Sequence, residues 1–141
     1  MSAKVFTIVS MVVLLLASCM LAGRIMTNDD LTESMGFTLI SQEEAVHKMN
    51  VDDGHIIVDV RGRKEYAQGH IPGAICIPVE TIGNAPPEEL PDFTQIILVY
   101  CRSGRRSRMA AEKLASMGYA RVYDFGGIMT WKGDIVKEDN L

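Results

Sequence analysis

The feature that most constrains the fold is a regular alternation of short apolar runs with helical patterns. The runs are four to six residues long, which suits strands buried on both faces of a sheet. Helix signals separate them, such as Ser41 followed by Glu44 at capping-box spacing, and Gly118 at a helix end. The apolar runs lie at 37–40, 55–60, 74–78, 95–100 and 121–125, and the helical segments at 41–49, 64–68, 109–118 and from 127 onwards. This alternation predicts an α/β fold, with helices on both faces of a parallel sheet.

Length and charge narrow the functional classes. A chain of 141 residues has room for one domain that can bury its own core. Its net charge of −4 and pI near 5.3 give no basic surface for nucleic acid. The arginines between residues 101 and 108 are a local exception in this acidic chain. They indicate a small anionic substrate.

The segment Cys101–Ser107 reads C-R-S-G-R-R-S and lies between a predicted strand and a helical pattern. Sites in parallel sheets lie at the carboxyl ends of strands, where Cys101 falls. Unpaired N–H groups at a helix start favour an anion, and Arg102, Arg105 and Arg106 add positive charge. Both effects stabilise a thiolate, so we expect Cys101 to be a nucleophile. The alternative is a buried, inert cysteine.

Other polar residues have structural and functional interpretations. Asp59 and Arg61, at the end of the strand 55–60, are expected to brace neighbouring loops through an ion pair, although they could touch substrate. His70 is expected to stabilise a turn, with a general base as the alternative. Cys76 is expected in the core, although a disulfide with Cys101 is a second possibility. The three histidines, His47, His55 and His70, show no spacing typical of a metal site.

The first residues form a targeting segment that lies outside the fold. After Lys4, an apolar stretch leads to Leu16-Ala17-Ser18-Cys19, which resembles a bacterial lipobox. We therefore expect residues 1–18 to be a signal peptide, Cys19 to be lipidated, 19–36 to be a tether and 37–141 to be the domain. Acyl chains on Cys19 would attach the protein to a membrane on its periplasmic side. The alternatives are an uncleaved transmembrane anchor and an ordinary secretory signal.

A set of motifs, taken together and in order, resembles the single-domain rhodanese family. They are Asp59-Val60-Arg61, Glu65-Tyr66, Gly69–Ala74, Cys101–Ser107, and Gly126-Gly127 with Trp131. The resemblance covers about residues 37–137. It implies a sheet of about five parallel strands and a sulfurtransferase. In that activity Cys101 takes a sulfane sulfur from a donor such as thiosulfate, forms a persulfide and passes the sulfur to cyanide or a thiol.

The chemistry of the loop fits this activity. Successive N–H groups of residues 102–106, including those of Ser103 and Gly104, can hold first the thiolate and then the outer sulfur of the persulfide. Arg106, and after it Arg102, is expected to bind the oxygens of the donor, with Arg105 a further candidate. Neither a metal nor an organic cofactor is expected.

Two other functions remain open at this point. Cysteine phosphatases and arsenate reductases also place a thiolate in an anion-binding loop, but those of related fold have five residues between Cys and Arg. Here Arg106 comes one position earlier, and Ser107 stands where their arginine would be. The shorter loop leaves too little room for a phosphate-sized oxyanion. The second alternative is a non-catalytic interaction module of the same fold, although such modules commonly lack the cysteine.

Overall fold

The computed structural model of the protein describes residues 36–138. The predicted signal peptide 1–18, Cys19 and all but the last residue of the predicted tether lie outside the described residues. The domain boundaries therefore stay a prediction.

Five strands form one sheet within residues 36–138. They are β1 (Thr38–Leu39), β2 (Ile56–Asp59), β3 (Ile75–Cys76), β4 (Ile96–Cys101) and β5 (Arg121–Gly127). Their order in the sheet is β1-β5-β4-β2-β3, and every pair is parallel. This confirms the predicted α/β class and the five-stranded parallel sheet. The longest apolar run within residues 36–138 supplies β4, whose central place follows from its burial on both faces.

Three helices connect the strands: α1 (Gln42–Met49), α2 (Arg63–Gln68) and α3 (Arg105–Ser116). The predicted capping box is present at α1, where the Ser41 hydroxyl accepts a hydrogen bond from the N–H of Glu44. Among the described residues there are also two short 3₁₀ turns, Val79–Thr81 and Ile128–Thr130.

The expected terminal helix after Gly127 is wrong, because only the single turn Ile128–Thr130 forms there. The N–H of Met129 donates to the carbonyl of Arg102 in the loop after β4, at 3.2 Å, instead of to its own segment. The chain then turns back, and the N–H of Val136 pairs with the carbonyl of His70 at 2.9 Å. These long-range bonds outweigh a helix of one or two turns, which has little stability of its own.

The sheet separates two apolar clusters, one on each face. Successive side chains of β4 alternate between them: Val99 and Cys101 belong to the face covered by α3, and Leu98 and Tyr100 to the opposite face. Helix α3 buries Ala110, Ala111 and Leu114 in the first cluster, and α1 buries Ala45 in the second. Because Cys101 is the last residue of β4, it lies directly beneath the start of α3.

Candidate active site

The loop that follows β4 holds the thiol of Cys101 against the start of α3. Cys101 is 1% exposed, and the N–H of Gly104 donates to its Sγ at 3.1 Å. Gly104 precedes the first residue of α3 and has a φ of +100°, a conformation that favours glycine. The helix therefore begins inside the C-R-S-G-R-R-S motif, four residues before the apolar pattern that predicted it. Its free N–H groups point back towards the sulfur.

The dipoles around the sulfur favour the thiolate. Burial by itself raises the pKa of Cys101. The N–H and the hydroxyl of Ser107, followed by the N–H groups of Gly104 and Ser103, lower it by more, so the pKa of Cys101 lies below its ordinary value. The main causes are thus backbone and hydroxyl donors, whereas the sequence had pointed to the arginines as well.

Arg106 is already engaged in an ion pair. Its Nη1 and Nη2 donate to the two carboxylate oxygens of Glu65 in α2, at 2.7 and 2.9 Å. This contact, ahead of the N–H of Gly62, lowers the pKa of Glu65 to about 2 against the opposing effect of burial. Arg102 and Arg105 are exposed and form no ion pair with another described residue. They are freer than Arg106 to reach an anion.

Among the open clefts that border the loop, two have a volume of about 440 Å³ each. The first is lined by Val79, Glu80, Ser103, Arg105, Arg106, Met109 and Lys113. The second is lined by Arg61, Glu65, Gln68, Gly69, Arg102, Ile128 and Met129. A small anion can therefore approach the loop from either side and meet an exposed arginine.

Asp59 and Arg61 form a buried ion pair, with Nη2 of Arg61 2.6 Å from Oδ2 of Asp59. The same nitrogen donates to the carbonyl of Gly69 at 2.7 Å. The pair thus ties the end of β2 to the turn at residues 69–73. These contacts are those expected of a brace.

His70 is also held by structural contacts. Its Nδ1 lies 2.9 Å from the carbonyl oxygen of Tyr66, and the two rings stack at 3.7 Å between centroids. Its backbone forms a bridge with Val136. These contacts fit the turn-stabilising role, not that of a general base.

Cys76 and Cys101 lie on opposite faces of the sheet. Cys76 pairs with Asp59, and Asp59 pairs with Tyr100, so these three side chains share one face. Cys101 follows Tyr100 and points to the other face. Two strand spacings separate β3 from β4, about 10 Å, whereas disulfide Cα atoms lie about 4.4–6.8 Å apart. A disulfide between them requires the sheet to rearrange.

Three contributors to the site belong to motifs noted in the sequence, but sequence reasoning assigned them no role at the site. Ser107 is fully buried and its N–H and hydroxyl lower the pKa of Cys101, Glu65 holds Arg106, and Gly127 packs against the loop. A Cβ on Gly127 would lie 2.6 Å from the Cα of Ser103. The close spacing of Gly126 and Gly127 was a signal for such an approach, but no local pattern links Glu65 to the loop.

Within residues 36–138, no group of three or more His, Cys, Asp or Glu side chains is arranged to hold a metal ion. Over the same residues, none of the helices has the length and apolarity that a membrane span needs.

Comparison with known proteins identifies the family. The family model described as "Rhodanese-like domain" matches residues 41–134. Thiosulfate sulfurtransferase PspE of Escherichia coli (strain K12) is 39% identical over 71 residues, which are 50% of this chain and 68% of that protein. A sulfurtransferase of Allochromatium vinosum is 36% identical over 93 residues, 65% of this chain and 85% of that protein.

Solved structures agree. The structure titled "rhodanese with anions from E. coli" has a TM-score of 0.55 and 36% identity, and the match covers 60% of this chain and 99% of that one. Other curated relatives are longer, and the chain spans 20 to 50% of their length. The chain belongs to the rhodanese-like domain family, several of whose members are named sulfurtransferases.

Proposed function

Because the chain belongs to the rhodanese-like family, we propose that it is a sulfurtransferase that carries sulfane sulfur on Cys101. The Cys101 thiolate attacks the outer sulfur of thiosulfate or a similar donor. The donor's S–S bond breaks, sulfite leaves with the electron pair, and Cys101 becomes a persulfide. Cyanide or a thiolate then attacks the outer sulfur of the persulfide, and Cys101 leaves as the thiolate with which the cycle began.

The observation that carries this proposal is the buried sulfur under the N–H donors of the loop. A thiolate with a lowered pKa is available as a nucleophile near neutral pH, and it is a good leaving group in the second step. The N–H groups of residues 103, 104 and 107 need no reorganisation when charge moves between sulfur atoms.

The three arginines of the loop have different proposed roles. Arg102 and Arg105 are exposed beside the two clefts, so they are our candidates for binding the oxygens of the donor. Arg106, which the sequence had favoured, instead joins the loop to Glu65 and adds positive charge near the sulfur. Asp59 and Arg61 support the site from the opposite face of the sheet.

The test is mass spectrometry of the purified full chain after incubation with thiosulfate. We expect one added sulfur atom on the peptide that contains Cys101, removed on addition of cyanide with formation of thiocyanate. Cys101→Ala should abolish turnover, whereas Cys76→Ala should retain it. Turnover by Cys101→Ala, or sulfur found on Cys76 alone, would contradict the proposal.

The same preparations distinguish sulfur transfer from phosphate chemistry. Thiosulfate presents a small terminal sulfur to Cys101, with its oxygens farther out, whereas a phosphate ester must place its whole tetrahedral centre in the loop. The loop from Cys101 to Arg106 is one residue shorter than in the phosphatases of related fold, so we expect no hydrolysis of aryl phosphates. Phosphatase turnover comparable to sulfur transfer would overturn this assignment.

For the N-terminal region we propose that Cys19 is lipidated and attaches the domain to a membrane on its periplasmic side. The support is the lipobox-like Leu16–Cys19 after an apolar stretch. Mature protein that starts at Cys19 and partitions into detergent is the expected result. Mature protein that retains residues 1–18 would favour an uncleaved anchor.

A further inference from the structure

Glu65 holds the guanidinium of Arg106 through both of its carboxylate oxygens. Nη1 of Arg106 donates to Oε2 at 2.7 Å, and Nη2 donates to Oε1 at 2.9 Å. A bidentate pair of this kind has a more defined geometry than a single contact. The N–H of Gly62 also donates to Oε2 of Glu65, at 3.2 Å, and so fixes the carboxylate at the start of α2. Arg106 is therefore held by an element that lies outside its own loop.

The ion pair joins the two clefts of about 440 Å³ that border the loop. Glu65 lines one of these clefts together with Arg102, and Arg106 lines the other together with Arg105. Arg102 and Arg105 are exposed and form no ion pair with another described residue. A small dianion at the loop therefore meets two available arginines, whereas the third is already paired with a carboxylate.

Building on the proposed function, we propose that Glu65 is a specificity-determining residue that keeps Arg106 away from the oxygens of the donor. With Glu65 in place, Arg102 and Arg105 alone bind those oxygens. Without the carboxylate, Arg106 turns to the bound anion as a third positive charge, since it lines the same cleft as Arg105. Glu65 thereby weakens the binding of every tetrahedral dianion at the loop, without touching the substrate.

Weaker binding of oxyanions suits sulfur transfer, because the donor thiosulfate and the leaving sulfite are both oxyanions. An arginine that binds the oxygens of donor and product alike gives uniform binding, which lowers KM without raising kcat and retains the product. Inorganic sulfate presents similar oxygens but has no sulfane sulfur to transfer. A loop with three available arginines would hold sulfate more tightly, as an inhibitor.

Two further charged side chains, Lys113 and Glu80, line the cleft of Arg106. Nζ of Lys113 donates to the carbonyl oxygens of Ile82 at 2.7 Å and Val79 at 3.3 Å, so backbone contacts already hold this ammonium group. Glu80 forms no ion pair with another described residue. It offers a carboxylate of the same charge as Glu65, near the loop but without the bonds to Arg106.

The test is the affinity of the full chain for inorganic sulfate, measured by NMR titration at constant ionic strength. Glu65→Gln should bind sulfate about two- to fivefold more tightly, which corresponds to the strength of one exposed ion pair. The glutamine keeps an oxygen that can accept from the N–H of Gly62 and loses only the charge. Glu80→Gln is the matched control, since it removes the same charge but releases no arginine. Its affinity should rise by a smaller factor, and an equal rise would contradict the proposal.

A second background shows whether the effect of Glu65 passes through Arg106. Glu65→Gln should change the sulfate affinity little when Arg106→Gln is already present. If the factor is the same in both backgrounds, Glu65 acts only by general repulsion and the proposal is wrong. Equal or weaker binding of sulfate by folded Glu65→Gln also overturns it.

The wild type provides a test that does not depend on the folding of any variant at position 65. As sulfate binds, the side-chain NMR signals of Arg102 and Arg105 should move, and that of Arg106 should stay in place. A shift of the Arg106 signal as large as theirs would show that Glu65 does not keep Arg106 away from the anion.

Sulfate binding requires no sulfur transfer, so these experiments remain decisive even if Cys101 carries no persulfide. Where turnover is observed, Glu65→Gln should lower the KM for thiosulfate by a similar factor without raising kcat. A purely structural role of Glu65 would lower the melting temperature of the variant without this gain in affinity.

Discussion

Gly127→Ala should displace the loop after β4, because the added methyl group at the end of β5 would overlap the backbone of residues 102–103. The added Cβ would lie 2.6 Å from the Cα of Ser103 and closer still to the carbonyl oxygen of Arg102. Ordinary contact begins near 3.4 Å, so the loop must move by roughly 1 Å to clear the nearer of these two atoms. Both neighbours are backbone atoms and cannot turn away as a flexible side chain would.

The loss of stability follows from the size of this overlap. Overpacking of a close-packed region typically destabilises a protein by about 1–3 kcal/mol, and backbone neighbours place this case near the upper end. For a domain of about 100 residues this lowers Tm by roughly 10 °C or more. A misplacement of about 1 Å at a reactive group reduces turnover on the order of 10²-fold.

Thermal unfolding and thiosulfate:cyanide turnover measure the two effects. The matched control is Gly83→Ala, because a Cβ on Gly83 meets no atom within 4 Å and its φ is not in the left-handed range. Gly83→Ala should keep the Tm and the turnover of the wild type. If Gly127→Ala matches this control in both measurements, the loop does not depend on close packing against Gly127, and the reasoning is refuted.

Three further predictions address the ion pair, the core and the membrane attachment. Glu65→Gln should lower the free energy of unfolding near neutral pH by about 1 kcal/mol and should leave Arg106 without its ion pair. The expected loss is small because the Glu65 side chain is 36% exposed, and solvent weakens the ion pair. Because the folded-state pKa of Glu65 is about 2, the carboxylate contributes its full stabilisation above about pH 4.5 and loses it as the pH falls towards 2. The free energies of unfolding of wild type and variant should therefore converge in acid. A difference that stays constant with pH would contradict the stabilising role of the ion pair. Tyr100→Phe removes the hydroxyl that accepts a hydrogen bond from the buried N–H of Ile71 at 3.1 Å. It should lower the free energy of unfolding, measured with denaturant, by about 1–3 kcal/mol. An unchanged unfolding midpoint would disprove this. Cys19→Ser should block processing and detergent partitioning, and normal processing would exclude lipidation.

Local signals were sufficient to predict that Cys101 lies between a strand and a helix start. The apolar run before Cys101 predicts a strand, and the capacity of the following residues to start a helix predicts the loop. Both depend on interactions within a few residues of the chain, which any sequence window contains. The parallel sheet follows from the alternation itself, because strands joined by helices run in the same direction. The bracing pair of Asp59 and Arg61, two residues apart, could be proposed for the same reason.

Local signals were not sufficient for segments whose partners lie far along the chain. The residues after Gly127 have an apolar pattern that suits a helix, but Met129 bonds to the loop after β4 and Val136 bonds to His70. A window of sequence does not contain these partners. The prediction failed because tertiary hydrogen bonds outweighed a weak local preference.

The sequence alone thus determined which residue is the candidate nucleophile, because a strand, a glycine and a helix start are local properties. Only the tertiary structure decided what surrounds the sulfur. Glu65 reaches Arg106 across 41 positions of sequence, and Asp124 comes beneath α3 only through the order and register of β4 and β5. The register also puts Cys76 on the opposite face from Cys101, since a shift of one residue exchanges the two faces of a strand. Such long-range contacts depend on the order and register in which the strands pair, and no single segment of the chain carries that information.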